Sequence, residues 1–253
     1  MSVRITEIAT APVKGFALEF RDEVHIGERG VVETRRFFLV DGGGNRLRSS
    51  LTAWPVVVSG RYDAERDELA MTFPDGREVR ASAAANGATL HCQVSRGELE
   101  VGVVDGPWTE PLSELAGHPV RLVRPQLVGA AQTEPVTVVS QASLDRLGEE
   151  AGREIDSRRF RMLFTVDGCR AHEEDEWKGR TARAGEALLR FGGPVDRCAV
   201  TTRDPDTGVT DLDTLRLIKS YRGTSRAGTI DFGVYAQVVE PGRVRVGDRI
   251  ELA

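Results

Sequence analysis

The stretch Glu68-Leu69-Ala70-Met71-Thr72-Phe73-Pro74-Asp75-Gly76-Arg77-Glu78-Val79-Arg80-Ala81 reads as one hairpin. Short strands over 68–73 and 78–81 flank Pro74, Asp75 and Gly76, which are residues of tight turns. Working outward, further strands are predicted over 3–8, 37–41, 56–62, 89–94 and 99–104. Asp41-Gly42-Gly43-Gly44-Asn45 supplies a second hairpin connection. Strands this short and closely spaced, with little helix between them, point to antiparallel sheet closing into a barrel.

The later chain is also β-rich, with strands predicted over 161–166, 187–191, 199–202, 234–239 and 249–252. Two helices stand out there. Ser140-Gln141-Ala142-Ser143-Leu144-Asp145-Arg146-Leu147-Gly148 has a serine cap at its start and a glycine near its end. The stretch 212–221 keeps Leu215 and Ile218 on one side and follows the carboxylates Asp211 and Asp213. A shorter helix is expected over 110–115. The proline-bracketed stretch 124–135 has weak periodicity and marks a boundary, giving expected domains of 1–124 and 125–253. The fold class is therefore mainly β with a few helices (α+β).

A chain of 253 residues with 40% apolar content holds one or two ordinary cores. A net charge of −5 argues against a nucleic-acid partner, which selects a basic face. No run approaches the roughly 18 apolar residues of a membrane helix, and the N-terminus alternates as a strand does, so no membrane association is expected. Cys92, Cys169 and Cys198 are too few and too far apart for a disulfide framework. Reduced thiols and a cytoplasmic location follow as expectations.

Several chemistries are excluded by missing parts. None of Lys14, Lys178 and Lys219 sits in a phosphate-loop context, and there is no nucleophile elbow. His172-Glu173-Glu174-Asp175-Glu176 lacks the second histidine of a metalloprotease helix. In Asp204-Pro205-Asp206-Thr207-Gly208 the glycine falls one residue early for a calcium loop, and Leu215 stands in place of the bidentate glutamate, so the segment reads as a tight turn. The four histidines are dispersed.

What survives is cationic. Arg35-Arg36, Arg158-Arg159-Phe160-Arg161 and Arg197 each place a guanidinium where an apolar strand is expected to begin. They are either three solvated strand ends or one shared anion pocket. Lys14, in Ala11-Pro12-Val13-Lys14-Gly15-Phe16, is either a loop lysine or a point charge for a phosphate. Cys198 is either a small buried apolar residue or a nucleophile, sulfur carrier or ligand for a soft metal.

Arg197-Cys198 with Thr201-Thr202 and Asp204-Pro205-Asp206-Thr207-Gly208 resembles the signature of MOSC-domain proteins. These are relatives of the C-terminal domain of molybdenum-cofactor sulfurases and of mitochondrial amidoxime-reducing proteins. Similar elements run in order along most of the chain: Pro12-Val13-Lys14, Arg36-Phe37, Ser140-Gln141-Ala142-Ser143-Leu144, Phe160-Arg161, Glu174-Asp175-Glu176-Trp177, Lys219-Ser220-Tyr221-Arg222, Phe232-Gly233-Val234-Tyr235 and Val246-Gly247-Asp248. Two positions depart from the pattern: Gly15 stands where the family often has serine, and Met162-Leu163 replaces Pro-Asn.

The resemblance implies a MOSC β-barrel preceded by a smaller β-rich domain, with a pterin-based molybdenum cofactor held between them. It implies Cys198 as the metal ligand and catalytic residue, with Lys14, Gly15, Arg36, Ser140, Arg161 and Arg197 as cofactor-binding positions. The implied activity is two-electron reduction of an N-hydroxylated small-molecule substrate. The chain has no iron–sulfur segment or dinucleotide fingerprint, so electrons are expected from an external flavin or iron–sulfur protein. A sulfur carrier or sulfurtransferase using a Cys198 persulfide, and a non-catalytic cofactor carrier, are the alternatives.

Overall fold

The structure is a computed structural model that describes residues 2–48, 51–94, 97–130 and 132–253. Met1, quoted with the first strand, and Ala131, in the boundary stretch, lie outside the described residues. The strands in chain order are β1 (Arg4–Thr10), β2 (Glu19–Phe20), β3 (Glu23–Gly27), β4 (Gly30–Val31), β5 (Phe38–Asp41), β6 (Ser59–Asp63), β7 (Glu68–Thr72), β8 (Glu78–Ser82), β9 (Thr89–Val94), β10 (Gly97–Val104), β11 (Val120–Pro125), β12 (Val136–Ser140), β13 (Phe164–Asp167), β14 (Thr181–Ala184), β15 (Ala187–Asp196), β16 (Asp231–Glu240), β17 (Gly242–Arg245) and β18 (Ile250–Leu252). The α-helices are α1 (Thr109–Ala116), α2 (Gln141–Ala151) and α3 (Thr214–Arg222).

The largest sheet runs β18-β14-β15-β16-β12-β13-β1-β2. It closes into a barrel because β1 also bonds to the end of the chain. Ile5 N donates to Asp248 O at 2.9 Å, and Ile250 N donates to Val3 O at 2.9 Å. Alternation sends one set of side chains inward. That set includes Ile5, Val136, Val138, Phe164, Val166, Ala182, Ala184, Leu189, Phe191, Val234 and Ala236, all buried. The alanines fit small residues among the large ones of a narrow interior. β3, between β4 and β17, adds Val24, Ile26 and Val244 to the same core.

A smaller β-rich part is built from the sheets β5-β11-β10-β9 and β6-β7-β8, with α1 against them. Strand alternation divides its core. Phe37 and Leu39 pack with Tyr62, Met71, Trp108 and Leu112, whereas Phe38 and Val40 pack with Cys92, Val101 and Val123. The hairpin at Pro74–Gly76 is present, with β7 antiparallel to β8 and Gly76 N donating to Phe73 O at 2.9 Å. The sheets do not divide at 124/125. β1 and β3 hydrogen-bond with β13 and β17 of the later half, and carry β2 and β4 with them, so the N-terminal segment joins the barrel before the smaller part begins.

Three strand expectations are corrected. The start of 56–62 is a 3-10 turn, Trp54–Val57, with Pro55 in its first turn. The stretch 161–166 begins as strand only at Phe164, because Arg161 ends the 3-10 turn Ser157–Phe160 in a left-handed conformation, φ 53°. Residues 199–202 form a 3-10 turn instead of a strand. Thr201 Oγ1 and Thr202 Oγ1 bond back to Cys198 O and Ala199 O, at 3.2 and 2.7 Å, the local bonding that draws threonine away from sheet. Among the described residues no helix is long and apolar enough to cross a membrane.

Candidate functional site

Where β1 leaves the barrel, the chain turns through Val13, Lys14 and Gly15 and touches the entry to β5. Lys14 N donates to Phe37 O at 2.9 Å, and Val13 bridges Phe37. Gly15 has φ 100°, a region that favours glycine over the serine often found there in the resembling family. Arg35, just before β5, is left-handed at φ 51°, with its N–H held by Ala11 O at 2.6 Å. On the barrel side Arg161 closes the Ser157–Phe160 turn, and Arg197 follows β15 with its N–H on Ile230 O at 2.8 Å. Cys198 then caps the turn Ala199–Thr202, and its side chain is exposed.

These segments meet around a cavity of about 170 Å³ lined by Lys14, Gly15, Arg35, Arg161, Arg197 and Cys198, with Thr137, Met162, Asp196 and Tyr235 among the remaining walls. Carbonyl oxygens tie the guanidiniums together. Arg35 Nη2 donates to Arg161 O at 2.7 Å, Arg161 Nη2 donates to Phe16 O at 2.6 Å, and Arg197 Nη2 donates to Phe160 O. Arg197 also lies over the Phe160 ring at 5.0 Å and leaves its buried Nε without a hydrogen-bond partner. Among the described residues none of these three arginines forms an ion pair with a carboxylate within 4.0 Å.

The electrostatics follow from that clustering. Burial, with repulsion from Arg35 and Arg46, pulls Lys14 down to about 7, while Cys198 acts in the opposite direction. Burial and then Arg35 lower Arg161 to about 9. Burial lowers Arg197 to about 10, partly offset by Cys198 and Tyr235. Cations desolvated and crowded together favour an anion in the space between them. Two non-glycine residues held left-handed at one cavity add a second mark, since such strain collects at sites that use it.

Two expected site residues lie elsewhere. Arg36 does not line the cavity. It is buried, and its Nη1 donates to Pro125 O at 2.5 Å. Ser140 is fully buried as the cap of α2, accepting from Ser143 N at 3.1 Å. A carboxylate already occupies that helix start: Glu174 takes Ser140 N at 3.2 Å, Ser140 Oγ at 2.9 Å and Ser143 Oγ at 2.7 Å. These donors are therefore already satisfied from within the protein. The other two thiols are withdrawn, Cys92 into the smaller core and Cys169 under burial that pushes its thiol up to about 12. The Asp204 turn is closed by its own carboxylate, which accepts from Asp206 N and Thr207 N at 3.0 and 2.9 Å.

Arg35 is the pocket residue that the sequence reading passed over in favour of its neighbour. The doubled arginine before an apolar strand was a visible signal, although the left-handed backbone that turns Arg35 to the cavity was not. Tyr235 and Thr137 carried no comparable signal.

A pterin-type molybdenum cofactor brings an anionic phosphate and its own sulfur donors to the metal. The lining provides a cationic cradle and a single thiol, and no group of three His, Cys, Asp or Glu able to hold a metal exists among the described residues. This donor set suits a metal delivered with its organic ligand and not one bound by protein alone.

A closed barrel joined to smaller β-sheets, with a lone exposed thiol facing clustered cations, defines the class. The chain belongs to the MOSC domain family, whose description matches residues 125–251. It is 33% identical over 132 residues to mitochondrial amidoxime-reducing component 1 of Mus musculus, covering 49% of this chain and 38% of that protein. It is 25% identical over 252 residues to the Homo sapiens protein of the same name, covering 88% of this chain and 74% of the relative. Molybdenum cofactor sulfurase 1 of Aedes aegypti is 24% identical over 271 residues, covering 95% of this chain and 34% of that protein.

Proposed function

We propose that this chain binds a pterin-based molybdenum cofactor in the cationic pocket and reduces N-hydroxylated small molecules, such as hydroxylamines or amidoximes, by two electrons. The observation that carries the reading is the convergence of Lys14, Arg35, Arg161 and Arg197 on a cavity that Cys198 also lines. The similarity to amidoxime-reducing components and to a molybdenum cofactor sulfurase supports the same chemistry.

When bound, the cofactor supplies the two-electron redox step and a metal that accepts oxygen. The chain does the rest. Arg35, Arg161, Arg197 and Lys14 hold the anionic end by charge-assisted hydrogen bonds. Gly15, without a side chain, keeps the turn low beside it. Cys198 Sγ would be the soft donor that holds the metal, and its exposed position leaves the thiol within reach of solvent and substrate. Lys14 Nζ, with its pKa near 7, carries a proton inside the pocket at neutral pH. Electrons come from a separate flavin or iron–sulfur protein, and the free thiols suit a reducing compartment such as the cytoplasm.

The test is elemental analysis of protein made in a host that synthesises the cofactor, comparing wild type with Cys198→Ala and Arg161→Met. The reading requires near-stoichiometric molybdenum in wild type and its loss in both variants. Well-folded wild type without the metal would refute it. The exposure of Cys198 favours one second reading, a persulfide carrier. Mass spectrometry after incubation with a sulfur donor would then find one added sulfur on the Cys198 peptide and no molybdenum. Bound metal without turnover by any donor would instead identify a cofactor carrier.

A further inference from the structure

We propose that Arg159 is a positioning residue that sets where the Cys198 thiol stands against the Arg161 rim of the pocket; this rests on the reading of that pocket as the cofactor site. Arg159 does not line the cavity and is only 5% exposed. It sits two residues before Arg161, in the turn Ser157–Phe160. Its guanidinium crosses to the segment that follows Cys198. Nη1 donates to Arg203 O at 2.9 Å and to Asp211 Oδ1 at 2.8 Å, and Nη2 donates to Asp211 Oδ2 at 2.7 Å.

From Asp211 the bonding continues back to the cysteine. Asp211 N and Leu212 N donate to Thr202 O at 3.2 and 3.4 Å. Thr202 Oγ1 donates to Ala199 O at 2.7 Å. Thr201 Oγ1 pairs with Thr214 Oγ1 at 2.7 Å and with Cys198 O at 3.2 Å. Between β15 and α3 the chain has no strand or α-helix, so cross-links of this kind set its position. Arg158 makes a parallel tie to Asp206 at 2.6 Å, but Asp206 is exposed and such a pair holds weakly. Arg159 is buried, its side chain 4% exposed against 27% for Asp211, and the fork is bidentate; it joins both rims of the pocket: the turn carrying Arg161 and the turn carrying Cys198.

Arg159→Met keeps the aliphatic stem and removes the fork. Asp211 is not left alone, because Arg153 Nη2 remains 2.6 Å from it. Arg159→Lys keeps the charge but cannot engage both oxygens and Arg203 O together. Arg124→Met serves as a control of matched stability loss, since Arg124 ties Asp67 to Ala83 O in the smaller part. Hydrogen exchange of the metal-free proteins is measured first. Exchange over residues 198–212 should rise about tenfold in Arg159→Met, with β12 and β13 unchanged. Molybdenum retained after dialysis should fall roughly 10–100-fold, as for other residues that orient metal ligands. Arg159→Lys should fall between, and Arg124→Met should match wild type. Unchanged exchange over 198–212, or altered exchange with wild-type metal retention, would overturn the proposal. Loss of metal in Arg124→Met would overturn it too, by reducing the effect to general stability. Should Arg159→Met fail to fold, Arg159→Lys carries both measurements. A wild type without molybdenum sinks the cofactor reading itself, and the exchange data alone then decide the role of Arg159.

Discussion

Replacing Lys14 with methionine should stabilise the protein, by an amount that depends on pH. The Lys14 ammonium loses its hydration on burial and faces Arg35 and Arg46, so it ionises at about 7 in the folded chain instead of 10.5. Each tenfold change in proton affinity is worth about 1.4 kcal/mol, so the gap from 10.5 to about 7 is a cost on the order of 5 kcal/mol to the charged folded state. The sign follows from a lowered pKa on a base. Below pH 7 both folded and unfolded chains hold the proton, and the full cost is present. Between 7 and 10.5 the folded chain has released the proton while the unfolded chain keeps it, so the cost fades as pH rises. Linkage gives a change of about 2.5 kcal/mol in the stability difference between Lys14→Met and wild type from pH 6 to pH 9. Lys14 also has contacts that methionine loses, and this offset is nearly constant over that range. Urea titrations of both proteins at several pH values measure the difference directly, and titrating groups that do not interact with Lys14 cancel between them; a Cys198→Ala background removes the thiol that does. Parallel stability profiles from pH 6 to 9 would refute the burial of this charge and, with it, the electrostatic account of the pocket.

Two further outcomes separate the pocket from its surroundings. Arg35→Met should weaken binding of pyrophosphate, a probe for the anionic end of the ligand, by about tenfold in calorimetry, the worth of one charge-assisted hydrogen bond. Arg36→Met should lose stability and leave that affinity unchanged; the reverse pattern would return Arg36 to the site. Glu174→Ala strands Ser140 N in a dry interior, while the Ser140 and Ser143 hydroxyls keep each other as partners, and should cost about 1–3 kcal/mol in urea unfolding. Molybdenum content should survive it, and loss of metal at unchanged stability would show that the α2 start binds ligand after all.

The parts of this fold legible in the sequence were those written in local chemistry. Pro74, Asp75 and Gly76 announce a turn whatever surrounds them, and Ser140 announces the start of α2. Gly148 misplaced the end of that helix, which runs to Ala151 and is capped by Gly152 at φ 66°. The short strands β2, β3, β4 and β17 carry too little pattern to be read, because each has five residues or fewer, and β3 and β17 find each other only across most of the chain. At the site, the three arginine clusters were visible, but which member faced inward was not. Arg35 and Arg161 turn toward the cavity through left-handed backbone, and no propensity assigns that conformation to arginine. Val200, Thr201 and Thr202 look like strand because they are β-branched. Hydroxyls bonded to their own turn, fixed by Asp211 and Thr214, override that preference.

The barrel's closure and the pocket's assembly are one event. β1 must lie between β13 and the end of the chain for the sheet to meet itself, and the same strand then delivers Lys14 and Gly15 to the rim where Arg161 emerges. Arg35 is carried in by the next crossing of the chain, once β3 has paired with β17 and β4 with β3. The cations are thus imposed on one another by long-range sheet pairing, although their mutual repulsion and burial oppose it. The fold tolerates this because the carbonyls of Phe16, Phe160 and Arg161 accept from the guanidiniums while adding no negative charge. Had carboxylates filled those places, the arginines would be satisfied and the cavity would be neutral. Carbonyl partners hold the geometry and leave the positive charge uncancelled, so the free energy of an arriving anion is largest where the empty protein is least stable.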